Sequence, residues 1–173
     1  DKIGGKEIFT KEIERELLDG TIDMAVHSMK DMPGELPKGL KLSFTPERED
    51  YRDVLVLRKG INSIDDIPLG GKIGTGSKRR KYQILKCRPD LEMVGIRGNI
   101  ETRIKKIEEE NLDGVILAAA GINRLGLNLG ERVVHLDKDM VLPSPTQGIL
   151  AIEIRENDNR LDNILKSISH TKT

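Results

Sequence analysis

Lys72-Ile73-Gly74-Thr75-Gly76-Ser77-Lys78-Arg79-Arg80-Lys81 is a short strand that runs through two glycines into a helix. Ser77 is a good N-cap, because its side-chain oxygen can accept from an otherwise unpaired amide of the first turn. Lys78, Arg79, Arg80 and Lys81 fall in that turn. Cations there oppose the helix macrodipole at about 0.3–1 kcal/mol each, so a bland surface helix would carry acids instead. Basic residues in this position fit a site where an anion sits against free N–H groups, and the glycines let backbone approach it closely. For this cluster alone, a solvated basic patch is the competing reading.

The same junction recurs downstream. Leu91 to Ile96 reads as a strand, Arg97-Gly98-Asn99 ends it, Asn99 can cap the next helix, and Arg103 lies one turn in. That helix carries Ile100, Ile104 and Ile107 on one face. Val115 to Ala118 reads as a buried strand that passes through Ala119-Ala120-Gly121-Ile122-Asn123-Arg124 into a short helix near Ile122 to Leu125. Ligands of open α/β sheets collect beyond the carboxyl ends of strands. Arginine, more than lysine, suits a bidentate grip on carboxylate or phosphate. Any one of these arginines could be a surface ion pair, but the set reads as a polyanion site.

Further from the centre, Phe9, Ile13 and Leu17 mark a helix over about Phe9 to Leu18, stopped by Gly20. Ile22 to Val26 reads as a buried strand, followed by the loop His27-Ser28-Met29-Lys30-Asp31-Met32-Pro33. Leu40 to Phe44, Asp53 to Leu57, Lys72 to Gly74, Val133 to Leu136 and Ile149 to Ile154 complete the strands. A closing helix aligns Leu161, Ile164, Leu165 and Ile168. Strands alternating with helices predict an α/β fold with largely parallel pairing. The charged stretch from Thr45 to Tyr51 and Pro143-Ser144-Pro145 read as paired crossings. On that reading 52–142 is one domain, and 1–47 with 146–173 form a second, discontinuous and partial one.

Composition narrows the function. The 173 residues carry 29 basic and 29 acidic side chains, so an anion site must come from local placement. Two Phe, two Tyr and no Trp leave little to stack bases on, which argues against nucleic acid as a partner. No apolar run is long enough to span a bilayer, and no secretory leader opens the chain. The single cysteine, Cys87, excludes an internal disulfide and fits a reducing compartment, so the expected location is cytoplasmic. No metal-ligand spacing and no nucleophile elbow occur. Asp31 follows a strand, neighbours Lys30 and precedes Met32-Pro33. In an arginine-rich cleft it would be ionised, able to steady a cationic intermediate or shuttle a proton. A structural Lys-Asp pair is the alternative. His27 reads as a hydrogen-bonded structural histidine.

The ordered succession of His27 to Pro33, Gly74 to Arg80, Arg97-Gly98-Asn99 with Arg103, and Ala119 to Gly126 resembles the hydroxymethylbilane synthase (porphobilinogen deaminase) family. So do Gly4-Gly5-Lys6, Glu47 to Asp50 with Arg52-Asp53, and Gln147-Gly148. The resemblance implies type II periplasmic-binding-protein-like architecture: two α/β domains with mainly parallel mixed sheets and a cleft between them, here without a cofactor-bearing third domain. It implies a transferase of tetrapyrrole (heme) biosynthesis that condenses four porphobilinogen molecules, with release of ammonia, into linear hydroxymethylbilane. The product grows on a dipyrromethane cofactor held by a cysteine that this sequence lacks, since Cys87 sits in the wrong context. By motif, Asp31 corresponds to the catalytic aspartate. Arg79, Arg80, Arg97, Arg103 and Arg124 correspond to arginines that bind acetate and propionate groups. Lys30, Ser77 and the loop lysine Lys6 correspond to residues lining the same site. Gly76, Lys78, Glu7 and Thr146 depart from the family pattern, the last replacing a glycine. The chain by itself is expected to be a monomer and inactive. A non-catalytic module clamping a small carboxylate is the rival reading.

Overall fold

The computed structural model describes residues 5–173 and divides into two compact units, Glu49–Gly148 and Asp1–Arg48 with Ile149–Thr173. In chain order the elements are α1 (Gly5–Asp19), β1 (Met24–Ser28), β2 (Leu40–Leu42), β3 (Asp53–Leu57), β4 (Lys72–Gly74), α2 (Lys78–Cys87), β5 (Glu92–Val94), α3 (Ile100–Glu109), β6 (Gly114–Ala118), α4 (Ala119–Arg124), β7 (Val133–His135), β8 (Leu150–Arg155) and α5 (Asn159–Leu165). Three short 3₁₀ turns, Met29–Asp31, Gly130–Arg132 and Lys166–Ile168, lie among them. No helix among the described residues is long and apolar enough to cross a membrane.

The Glu49–Gly148 unit is built on a five-stranded sheet in the order β5-β4-β6-β3-β7. β3 is buried along its whole length, and its alternating side chains feed two cores. Leu55 and Leu57 pack with Ile73, Ile116 and Ile84 of α2 on one face. Val54 and Val56 pack with Val115, Leu117, Ile107 of α3 and Ile122 of α4 on the other. Helices on both faces explain why β3 and β6 read as continuous apolar runs.

The other unit holds a three-stranded sheet, β1-β8-β2. Helix α1 covers one face, where Leu17 packs with Ala25 and Leu40. Helix α5 covers the other, where Leu161 and Leu165 meet Ile152 and Ile154.

The sheets are mixed, as expected, but parallel pairing is the smaller part. Among the described residues only β4–β5 and β4–β6 pair in parallel, while β3–β6, β3–β7, β1–β8 and β2–β8 are antiparallel. The physical cause is that β3 and β8 lie just after the two passages between units and enter their sheets from the opposite end, which alternation along the chain does not reveal. The strand expected over Ile22 to Val26 also moves. β1 spans Met24–Ser28 with Met24 and Val26 exposed, because only alternate residues, Ala25 and His27, turn toward α1.

Candidate functional site

The parallel trio β5-β4-β6 sends its carboxyl ends to one edge, where three helices begin. At the first, Gly76 is required: a Cβ there would stand 2.7 Å from the Ile96 carbonyl oxygen. Ser77 caps α2, its Oγ accepting from the Arg80 amide at 3.4 Å. At the second, Gly98 takes φ +124° and Asn99 caps α3 by accepting from the Thr102 amide at 2.8 Å. At the third, β6 passes directly into α4 without a side-chain cap.

Because β3 runs antiparallel to β6, with Asp53 opposite Ala118, the first residue of β3 arrives at this same edge. Asp53 has no exposed surface. Its Oδ1 accepts from Arg80 Nε at 3.0 Å, Arg80 Nη2 at 2.7 Å and Gln147 Nε2 at 2.9 Å. Arg79 Nη1 faces Oδ2 at 2.7 Å as an ion pair without hydrogen-bond alignment, and donates to the Leu142 carbonyl at 2.5 Å. Gln147 also donates to the Tyr51 carbonyl at 2.8 Å. Burial pushes the Asp53 pKa up, but contact with Arg79, the Arg80 charge and the Gln147 hydrogen bond outweigh it and hold it below the ordinary carboxylate range.

The arginines therefore differ. Arg80 is 6% exposed, its remaining Nη1 donates to the Ile116 carbonyl at 3.0 Å, and its guanidinium is fully engaged by protein. Burial lowers its pKa, opposed by Asp53 and reinforced by repulsion from Arg79 and Arg103. Arg103 is half-buried and donates to the Gly98 carbonyl at 2.7 Å. Arg124 is exposed and donates to the Gly148 carbonyl at 2.6 Å, while its neighbour Asn123 donates to Glu49 at 3.0 Å. Arg97 is exposed, with no hydrogen bond or ion pair among the described residues. One edge thus presents Arg97, Arg103 and Arg124, none of them in a salt bridge among the described residues, beside an Arg79–Arg80–Asp53 hub whose two cations outnumber its one anion.

In the other unit, Asp31 is exposed and Lys30 half-buried in the 3₁₀ turn that follows β1. The turn is held by the Met29 amide on the Ile149 carbonyl at 3.0 Å and the Met32 amide on the Met29 carbonyl at 3.2 Å. Gly4 lies outside the described residues, and the Lys6 side chain outside the described side chains. Cys87 is exposed at the last position of α2, the opposite end from Ser77. The sequence reading missed Asp53 and Gln147 as the partners of its arginines. The available signal was a lone acid opening an otherwise apolar strand.

Residues 1–163 match the family described as porphobilinogen deaminase, dipyromethane cofactor binding domain. The chain is 62% identical over 170 residues to a porphobilinogen deaminase of Clostridium novyi, covering 97% of this chain and 57% of that protein. It is 58% identical over 174 residues to one of Clostridioides difficile, covering 100% and 57%. The chain thus spans little more than half the length of these relatives. Among solved structures, an ancestral cationic amino acid solute binding protein matches with TM-score 0.54 at 18% identity, over 91% of this chain and 66% of that one. The periplasmic VFT2 domain of Bordetella pertussis BvgS matches with TM-score 0.50 at 16% identity, over 92% and 66%. These two likenesses concern the fold alone.

Proposed function

The chain belongs to the porphobilinogen deaminase family, and from that premise we propose that the protein it represents is a hydroxymethylbilane synthase, condensing porphobilinogen with loss of ammonia. The observation that carries the reading is the edge where the second and third strand-to-helix junctions, with the helices they open, bring Arg97, Arg103 and, at the last residue of α4, Arg124. Each pyrrole of substrate or product brings two carboxylates, and guanidiniums that hold no carboxylate of the protein in a salt bridge can turn to them at little cost.

The donor set fits a dipyrromethane. Its carboxylates match these arginines in charge and in the two-pronged geometry of a guanidinium. When bound, the group supplies the pyrrole carbon at which the chain is lengthened. Arg97, Arg103 and Arg124 grip carboxylates, and Ser77 and Lys30 line the path. Asp31 holds pyrrole N–H groups and moves the proton that accompanies ammonia release. Arg80, committed to Asp53, positions Arg79 rather than touching the ligand. Lys6 keeps its proposed place near the site. The protein works as a cytoplasmic monomer, with residues 1–47 and 146–173 as one domain here and 52–142 as the other.

Asp31→Asn in the full-length protein tests the reading. Turnover of porphobilinogen is expected to fall by roughly 10²–10⁴-fold, the usual contribution of a positioned acid or base, with binding largely spared. Wild-type protein that binds a small carboxylate yet forms no bilane would favour the non-catalytic module instead.

A further inference from the structure

Glu153 is a charged residue in the middle of an apolar strand, Leu150-Ala151-Ile152-Glu153-Ile154, at the centre of the three-stranded sheet. Opposite it in register are Ala25 of β1 and Leu42 of β2, which puts it on the face covered by α1. The carboxyl has no exposed surface. Its Oε2 meets Nε2 of His27, itself only 12% exposed at the side chain, at 3.1 Å, and Oε1 has no hydrogen-bond partner among the described residues. From α1 a second acid, Glu14, is 6% exposed and acts on it by repulsion, while β2 presents no titratable group in register.

A fully buried carboxyl with an orphaned oxygen is costly, and apolar residues would pack the same space more stably. Such a group calls for a role other than stability. Its position suggests one. His27 is on β1 two residues before the turn Met29–Asp31, and its ring is fixed to the central strand by Glu153. The backbone bond from the Met29 amide to the Ile149 carbonyl continues the same β1–β8 ladder directly beyond it. The ring and the ladder together therefore hold the end of β1 on both its side-chain and backbone sides.

We propose that His27 and Glu153 are positioning residues for Asp31: their buried contact fixes the end of β1, and so the turn that carries Lys30 and Asp31. The proposal rests on the catalytic reading of Asp31 for its consequence in turnover, though not for its consequence in structure. Glu14 adds its repulsion to the effect of burial on Glu153, while the charge of His27 acts the other way.

The test uses the full-length protein with Glu153→Ala and Glu153→Gln, read in two ways. Hydrogen exchange at the Met29 and Met32 amides is expected to quicken about tenfold or more in the alanine variant and to stay near wild type in the glutamine variant, whose amide oxygen can still accept from His27. kcat is expected to fall at least tenfold in the alanine variant with KM within about twofold, and glutamine is expected to restore most of it. Unchanged exchange at both amides in Glu153→Ala overturns the proposal, as does equal damage by alanine and glutamine. Should Glu153→Ala give no folded protein, His27→Ala carries the same two measurements. Loosened amides with unchanged kcat would leave the positioning intact and count against Asp31 as the catalytic group, so the two readings fail separately.

Discussion

Asp53 and Glu153 are both fully buried carboxylates, one in each unit, and each keeps one oxygen without a hydrogen bond among the described residues. Their surroundings drive them in opposite directions. Asp53 has two guanidiniums and a carboxamide, which outweigh burial and hold it ionised. For Glu153 burial is the largest influence and raises the pKa; the charge of His27 opposes this and Glu14 adds to it. The difference shows that burial alone does not set the state of an acid. The number of permanently charged partners does, because a guanidinium keeps its proton where an imidazole can release it.

The comparison is broken most severely at Asp53. Asp53→Ala leaves Arg80 buried without a counter-charge and is expected to destabilise the five-stranded unit by about 3–5 kcal/mol. Exchange of the Val54 to Leu57 amides under mild denaturant would measure it.

A smaller effect sharpens the contrast through pH. For Asp53 the folded pKa is depressed, so its stabilisation is present above the ordinary value of 3.8 and is lost as pH falls below it. For Glu153 the folded pKa is raised, so stability declines as pH climbs from the ordinary 4.5 toward the folded value. Glu153→Gln lacks that decline. Its stability relative to wild type is expected to rise with pH above 4.5 and then level off, seen in denaturant midpoints collected from pH 4 to pH 8.

The mildest test lies beside Gln147. Thr146 takes φ +60°, a left-handed conformation costly for a β-branched residue. Thr146→Gly is expected to stabilise the five-stranded unit by about 1 kcal/mol, net of the greater freedom glycine gives the unfolded chain. An unchanged denaturant midpoint would mean that this strain does not burden the segment holding Asp53.

Much of the site was legible from local chemistry. Ser77 and Asn99 cap the helices the sequence assigned to them, whereas the close approach that requires glycine at 76 is to the Ile96 carbonyl of the chain itself. Arg97 stands at a strand-to-helix junction and Arg103 one turn into α3, as their spacing implied, while Arg124 is the last residue of α4. Arg80 was not legible, because its partner lies 27 residues upstream and reaches it only through the antiparallel entry of β3. The role of His27 was half visible: a hydrogen bond could be anticipated, but its acceptor lies 126 residues away on β8.

The sequence by itself determined the alternation of elements, the caps, the arginine-bearing junctions and the family. These follow from periodicity and from short-range steric and hydrogen-bonding preferences that act within a few residues. Only the tertiary structure decided which arginine is buried, which carboxylate pairs with it and in which direction each buried acid's pKa moves. Those outcomes depend on strand direction and register, which bring distant residues together in a low-dielectric interior where each pairing is strong.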